Sequence, residues 1–172
     1  VLAVGVHQHV ADREPLAAGG GDGLIVVAGE SALALELEDA AAASGWDVAS
    51  PLDAAGQVPL LILDLSGGEP SDAPLQGAPQ AICCGAGSLG SLDPGGSAVG
   101  FHALTPLPEC QLVELTRGPD SATSAAQATE RFFGTIGKHT AWVADAPGLV
   151  LGRIICQVIN EAAFALGEGV GT

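Results

Sequence analysis

Residues 24–50, LIVVAGESALALELEDAAAASGWDVAS, decide the fold. The first five, 24–28, are apolar throughout instead of alternating, which is the pattern of a strand buried on both faces of a parallel sheet. Gly29 turns the chain and Ser31 stands where a helix N-cap is wanted. Residues 32–44 are rich in Ala and Leu, with Gly45 as the stop signal. A second short strand is expected over 47–50. Strand, glycine turn, helix, glycine and strand in that order open a Rossmann-like α/β unit, because a parallel return needs a crossover.

Working outward, the same pattern predicts strands over 60–65 (LLILDL), 80–84 (QAICC), 97–103, 110–116 and 140–144. A helix is expected over 122–136, capped by Asp120 or Ser121 and ended by Gly137, with Ala125, Ala128, Phe132 and Ile136 on its apolar face. The connections 66–79 and 85–96 are rich in Gly, Pro, Ser and Asp and leave no room for a long crossover helix. From Leu149 onward an apolar stripe, including Ile154, Ile155, Val158, Ile159 and Leu166, runs along a helix of nearly twenty residues. The expected fold class is therefore α/β, a reduced Rossmann-like, mostly parallel sheet with flanking helices, followed by a long C-terminal helix. Residues 1–23 read as an N-terminal linker or edge segment and 24–146 as the reduced domain. The final helix must fold back on the sheet or pair with another chain, and the second choice gives a dimer.

Of the 172 residues only five are Lys or Arg, and the formal charge is −15. That balance argues against nucleic acid and anionic membrane surfaces, and it leaves a polyphosphate dependent on backbone amides. No apolar run approaches the length of a membrane span, and the N-terminus lacks a signal-peptide pattern. The four cysteines, Cys83, Cys84, Cys110 and Cys156, have no metal-ligand spacing, so a reducing cytoplasm and no metal are expected. His7 and His9 stand two apart and would share a face if extended, but no third ligand is near, which favours a solvated segment. The chain has no methionine and reads as a piece of something longer.

The chemistry-bearing stretch is residues 100–118, GFHALTPLPECQLVELTRG. His102 and Glu114 lie twelve apart on two strand-like runs joined by a turn set by Pro106 and Pro108. Such a fold can pair them, the carboxylate orienting the ring and raising its basicity. The loop after the first strand is a negative signal. A dinucleotide fingerprint needs glycines for the tight turn, the close approach to pyrophosphate and the helix packing. In VVAGESALA, Ala28, Glu30 and Leu33 stand at those places, and Glu30 would aim a negative charge at the phosphates.

Residues 100–118 resemble the HFFNPVPxxxLVEV segment of the 3-hydroxyacyl-CoA dehydrogenases, a family that includes 3-hydroxybutyryl-CoA dehydrogenases. Residues 128–172, ATERFFGTIGKHTAWVADAPGLVLGRIICQVINEAAFALGEGVGT, resemble the passage of that family from its Rossmann domain into its helical C-terminal domain. The likeness covers about 97–172; the first 95 residues match only in layout. It implies an NAD-dependent oxidation in which His102 takes the hydroxyl proton and Glu114 holds the histidine. It also implies that 147–172 form the first helix of the helical domain. Departures accompany it. In CGAGSL, Gly87 replaces the substrate-binding serine of the family, which leaves Ser88 as the remaining substrate-binding candidate. Gly152 and Thr105 replace two asparagines.

Some long bacterial members of the family carry a second, reduced Rossmann-like unit, and this chain is similar to that unit. The implied function is part of a dehydrogenase of fatty-acid or aromatic-acid catabolism. This unit would be degenerate, binding no NAD itself, and would support other domains of the same enzyme and a homo-oligomer through the C-terminal helix. The alternatives are an active unit using His102 and Glu114, or a non-catalytic module holding an acyl-CoA or a partner domain.

Overall fold

The computed structural model describes residues 14–67 and 77–170, so His7 and His9 lie outside the described residues. In chain order the elements are β1 (Leu24–Ala28), α1 (Ala32–Ala43), β2 (Asp47–Ala49), β3 (Leu61–Asp64), β4 (Gln80–Cys83), the single-turn α2 (Leu89–Leu92) and β5 (Val99–His102). A 3-10 turn (Leu107–Glu109), β6 (Leu112–Arg117), α3 (Thr123–Thr135), β7 (His139–Trp142) and α4 (Leu151–Gly167) follow. The strands form one sheet in the order β2-β1-β3-β4-β5-β6-β7. Every pairing is parallel except β5 with β6, which the proline turn joins as an antiparallel pair. This is the reduced Rossmann-like α/β sheet expected from residues 24–50.

Local chemistry sets the ends of α1. Ser31 accepts a hydrogen bond from the Ala34 amide at 3.2 Å, supplying one of the acceptors that a helix start lacks. Gly45 ends the helix at φ 96°, where a side chain would also meet the Gly21 carbonyl. The start of α3 differs from expectation. Its N-cap position is Ala122, with no side-chain cap. Ser121 is engaged elsewhere, donating to the Ala98 carbonyl at 2.5 Å and accepting from the Gly118 amide at 2.9 Å, so it pins the loop to the start of β5. Similarly, β6 begins at Leu112 because Cys110 still closes the 3-10 turn, its amide donating to the Leu107 carbonyl.

Alternation along the strands divides the apolar side chains between two faces. One face carries Ile25, Val27, Leu63, Phe101, Val113 and Leu115, and both α1 and α3 pack on it. Aromatic residues are scarce in the chain and concentrate there. Phe101 and Phe133 stand 5.4 Å apart, Phe132 and Phe133 5.2 Å, and Trp46 and Phe132 6.1 Å, within the range of favourable ring pairs. The other face is covered by small separate clusters around Val26, Ile82 and Leu112. On this thin side α4 begins.

Only Leu151 of α4 is buried. The stripe does not fold back on the sheet, and Val158, Ile159 and Phe164 are each at least 60% exposed. Among the described residues no helix is long and apolar enough to cross a membrane.

Candidate functional site

The antiparallel pair β5–β6 places His102 directly opposite Glu114. The intervening turn is tied from two sides. Glu36 of α1 accepts from the Leu107 amide at 2.6 Å, and the Lys138 ammonium donates to the Leu107 and Cys110 carbonyls at 2.6 and 2.7 Å. Since Phe101, Val113 and Leu115 point to the α1/α3 face, His102 and Glu114 point to the thin one.

The register brings the two residues together, but the hydrogen bonds go elsewhere. Glu114 is 2% exposed, and its Oε2 accepts from the Val150 and Leu151 amides, both at 2.9 Å. A carboxylate there answers the unpaired amides and positive end of a helix start. Among the described residues neither ring nitrogen of His102 has a hydrogen-bond partner. Burial pushes the His102 pKa below its ordinary value of 6.5, so the ring favours its neutral form. The ring is closed in by two glycines. A Cβ on Gly152 would lie 2.9 Å from Nε2, and one on Gly85 would lie 3.8 Å from Nδ1. Thr116, two residues along the same face from Glu114, holds a third buried polar atom without a partner, Oγ1.

Ser88 caps α2. Its Oγ accepts from the Ser91 amide at 3.2 Å and donates to the Ser91 hydroxyl at 3.1 Å. The same turn is clamped by Asp145, whose two oxygens accept from the Leu89 and Gly90 amides at 2.7 and 3.0 Å. Nothing in the sequence marks Asp145 for this role, because no periodicity signals a contact of this range. Gly87 leaves space that Leu92 and Ser91 fill, and Thr105 is exposed in the turn.

At the head of α1, Gly29 has φ 116°, and a Cβ there would come within 2.8 Å of the Leu65 carbonyl carbon. Its missing side chain serves the close passage of the chain after β3. Ala28 and Leu33 are buried in the sheet and the core, and Glu30 is exposed. These residues do not fit a dinucleotide pyrophosphate, because the glycines of the tight turn and close approach are missing and the exposed Glu30 brings a negative charge to the helix start. Of the cysteines, Cys84 has its pKa pushed up to about 12, first by burial and then by the charge of Asp145, and burial raises that of Cys83 as well. Among the described residues no group of three or more His, Cys, Asp and Glu is placed to hold a metal ion.

Over part of its length the chain is similar to curated proteins that include 3-hydroxybutyryl-CoA dehydrogenases. That of Bradyrhizobium diazoefficiens is 38% identical over 73 residues, which is 42% of this chain and 25% of the relative. The probable 3-hydroxybutyryl-CoA dehydrogenase of Bacillus subtilis is 35% identical over 72 residues, again 42% and 25%. The match thus spans about a quarter of the length of these curated relatives. No family model matches the chain. Among solved structures, the (S)-3-hydroxybutyryl-CoA dehydrogenase of Ralstonia eutropha has a TM-score of 0.68 at 19% identity, covering 87% of this chain and 73% of that one. The 3-hydroxyacyl-CoA dehydrogenase of Archaeoglobus fulgidus has a TM-score of 0.65 at 16% identity, covering 86% and 65%. At those identities the structural likeness concerns the fold.

Proposed function

We propose that the chain is a portion of an NAD-dependent 3-hydroxyacyl-CoA dehydrogenase, acting on a substrate such as 3-hydroxybutyryl-CoA, and that this unit binds no NAD and carries out no turnover of its own. The observation that carries the reading is the head of α1, where Glu30 is exposed, Leu33 is in the core and Gly29 is packed against Leu65. NAD would supply the acceptor for the hydride on the carbon bearing the hydroxyl, and without a place for it a histidine that takes the hydroxyl proton has no partner reaction. His102 is consistent with this, since a neutral ring closed in by Gly85 and Gly152 has no direct hold on Glu114.

The work left to the unit is architectural. Residues 147–172 begin a helical domain, and the exposed stripe on α4 seats against other domains of the same enzyme or a second copy, burying apolar surface that is costly in water. Cys83, Cys84, Cys110 and Cys156 are all free thiols, which suits a reducing cytoplasm.

Titration with NADH, followed by nicotinamide fluorescence, is the direct test. No saturable change is expected up to millimolar nucleotide. Saturable binding at micromolar concentration would overturn the reading, and a strictly monomeric mass by light scattering would remove its oligomeric part.

A further inference from the structure

Glu114 and α4 form an arrangement that goes beyond the loss of a cofactor site. We propose that Glu114 is a latch. By accepting the Val150 and Leu151 amides it holds the first turn of α4 over His102, and the ring becomes accessible only when that turn is released.

Three features of the structure support a latch. First, only the start of α4 is attached to the sheet, and the body of the helix is largely exposed. Leu149 packs with Ile82, Cys84, Leu89 and Ala98, Leu151 packs with Leu112, and the Gly148 amide donates to the Cys84 carbonyl at 2.6 Å. Glu114 adds the two hydrogen bonds that its carboxylate accepts from the first turn itself. Bonds to a buried carboxylate are also stronger than bonds between neutral groups.

Second, the covering is close. Gly152 sits one residue beyond Leu151, and any side chain there would run into His102 Nε2. A glycine there lets the first turn close over the ring without displacing it.

Third, the residue at the entry to α4 is strained. Leu149 has φ 46°, a left-handed conformation that an L side chain with a branched Cγ rarely adopts, directly after Gly148 at φ 69°. Leu149 is fully buried among Ile82, Cys84, Leu89 and Ala98, so packing holds the strain. A strained hinge, a glycine cover and a charged catch describe an element with two arrangements.

Both helix amides go to Oε2, so the carboxylate is engaged with the helix start and is not bonded to either His102 nitrogen.

The test uses the chain as it is, comparing wild type, Glu114→Gln and Glu114→Ala above about pH 7.5, where the imidazole is neutral. Amide hydrogen exchange is read at Val150 and Leu151. Diethyl pyrocarbonate modification is read at His102 and, as an internal control, at His139, whose ring contacts the Glu14 carbonyl on another part of the molecule. Glu114→Ala is expected to speed both the exchange and the His102 modification by at least about tenfold, with His139 unchanged, as losing a charge-assisted bond implies. Glu114→Gln keeps an oxygen acceptor without charge and falls between. Unchanged exchange overturns the latch, and so does faster exchange with an unchanged His102 rate. Should Glu114→Ala fail to fold by circular dichroism, the Glu114→Gln rates decide on the same criteria. None of these readouts depends on whether the chain binds NADH.

Discussion

Burial is the cause acting on the proton of His102, because the opposing carboxylate faces the helix amides. The sign of the resulting pH dependence follows from linkage. With the folded pKa below the unfolded value of 6.5, the unfolded chain takes up the proton first as pH falls. The stability associated with a neutral His102 is complete above about pH 6.5 and is lost through the window beneath it, down to the folded pKa. Urea midpoints measured from about pH 8 to about pH 5 should therefore fall, and His102→Gln should flatten the upper part of that slope. Equal slopes in the two proteins would mean that another group titrates. A neighbouring residue gives a steric prediction. Gly100 is on the same sheet face, and a Cβ there would lie 2.5 Å from Cys84 Sγ and 2.6 Å from Thr116 Cγ2. Gly100→Ala should cost about 1–3 kcal/mol by overpacking, read from the urea midpoint at unchanged m-value. A neutral substitution would show that the sheet gives way there.

The proline turn is held by charges that no local pattern reveals. Lys138 begins no apolar stripe and stands one residue before β7, yet its ammonium reaches two carbonyls 28 and 31 positions earlier. Burial pulls its pKa below the ordinary lysine value, the expected response of a cation partly removed from water. Lys138→Met keeps the aliphatic stem and removes the donors. It should cost about 1–3 kcal/mol and speed exchange at the Glu109 and Cys110 amides, which close the 3-10 turn. If stability and exchange both stay put, the turn is held by Glu36 and its prolines without Lys138. The same contrast explains what could be read from the sequence. The strands around LIVVA and QAICC, the helix α1 between Ser31 and Gly45, and the His102–Glu114 register rest on periodicity, turn residues and motif spacing, and those are local. Glu36, Asp145 and Glu114 each accept from a backbone amide far along the chain, those of Leu107, Leu89 and Val150, which lie 71, 56 and 36 positions away. An amide has no letter in the sequence, so the sequence allowed a pairing of Glu114 with His102 and could not show that a helix start would take the carboxylate. Ser121, expected as a cap, was diverted in the same way by the Ala98 carbonyl.

At the scale of the molecule, both long helices of the sheet unit lie on one face, and α4 leaves the other with its apolar side uncovered. The two forces acting on an association of copies through α4 have opposite signs. Burying Val158, Ile159 and their neighbours is favourable at roughly 25 cal/mol per Å² of apolar surface, before the cost of ordering two bodies. Each copy also carries a formal charge of −15, and bringing two such copies together is opposed by repulsion that salt screens over about 10 Å at 0.1 M. Self-association through this face should therefore strengthen with added sodium chloride, whereas an interface held by ion pairs would weaken. Light scattering at rising salt should show the mass increasing toward a dimer. Val158→Lys with Ile159→Lys should abolish the increase even though the two lysines lower the net negative charge. Because both side chains are exposed and the buried anchor of α4 is Leu151, the urea midpoint of the monomeric variant should stay within about 0.5 kcal/mol of the parent. A mass that falls with salt, or a double variant that still dimerises, would place the contact on another surface of the sheet unit.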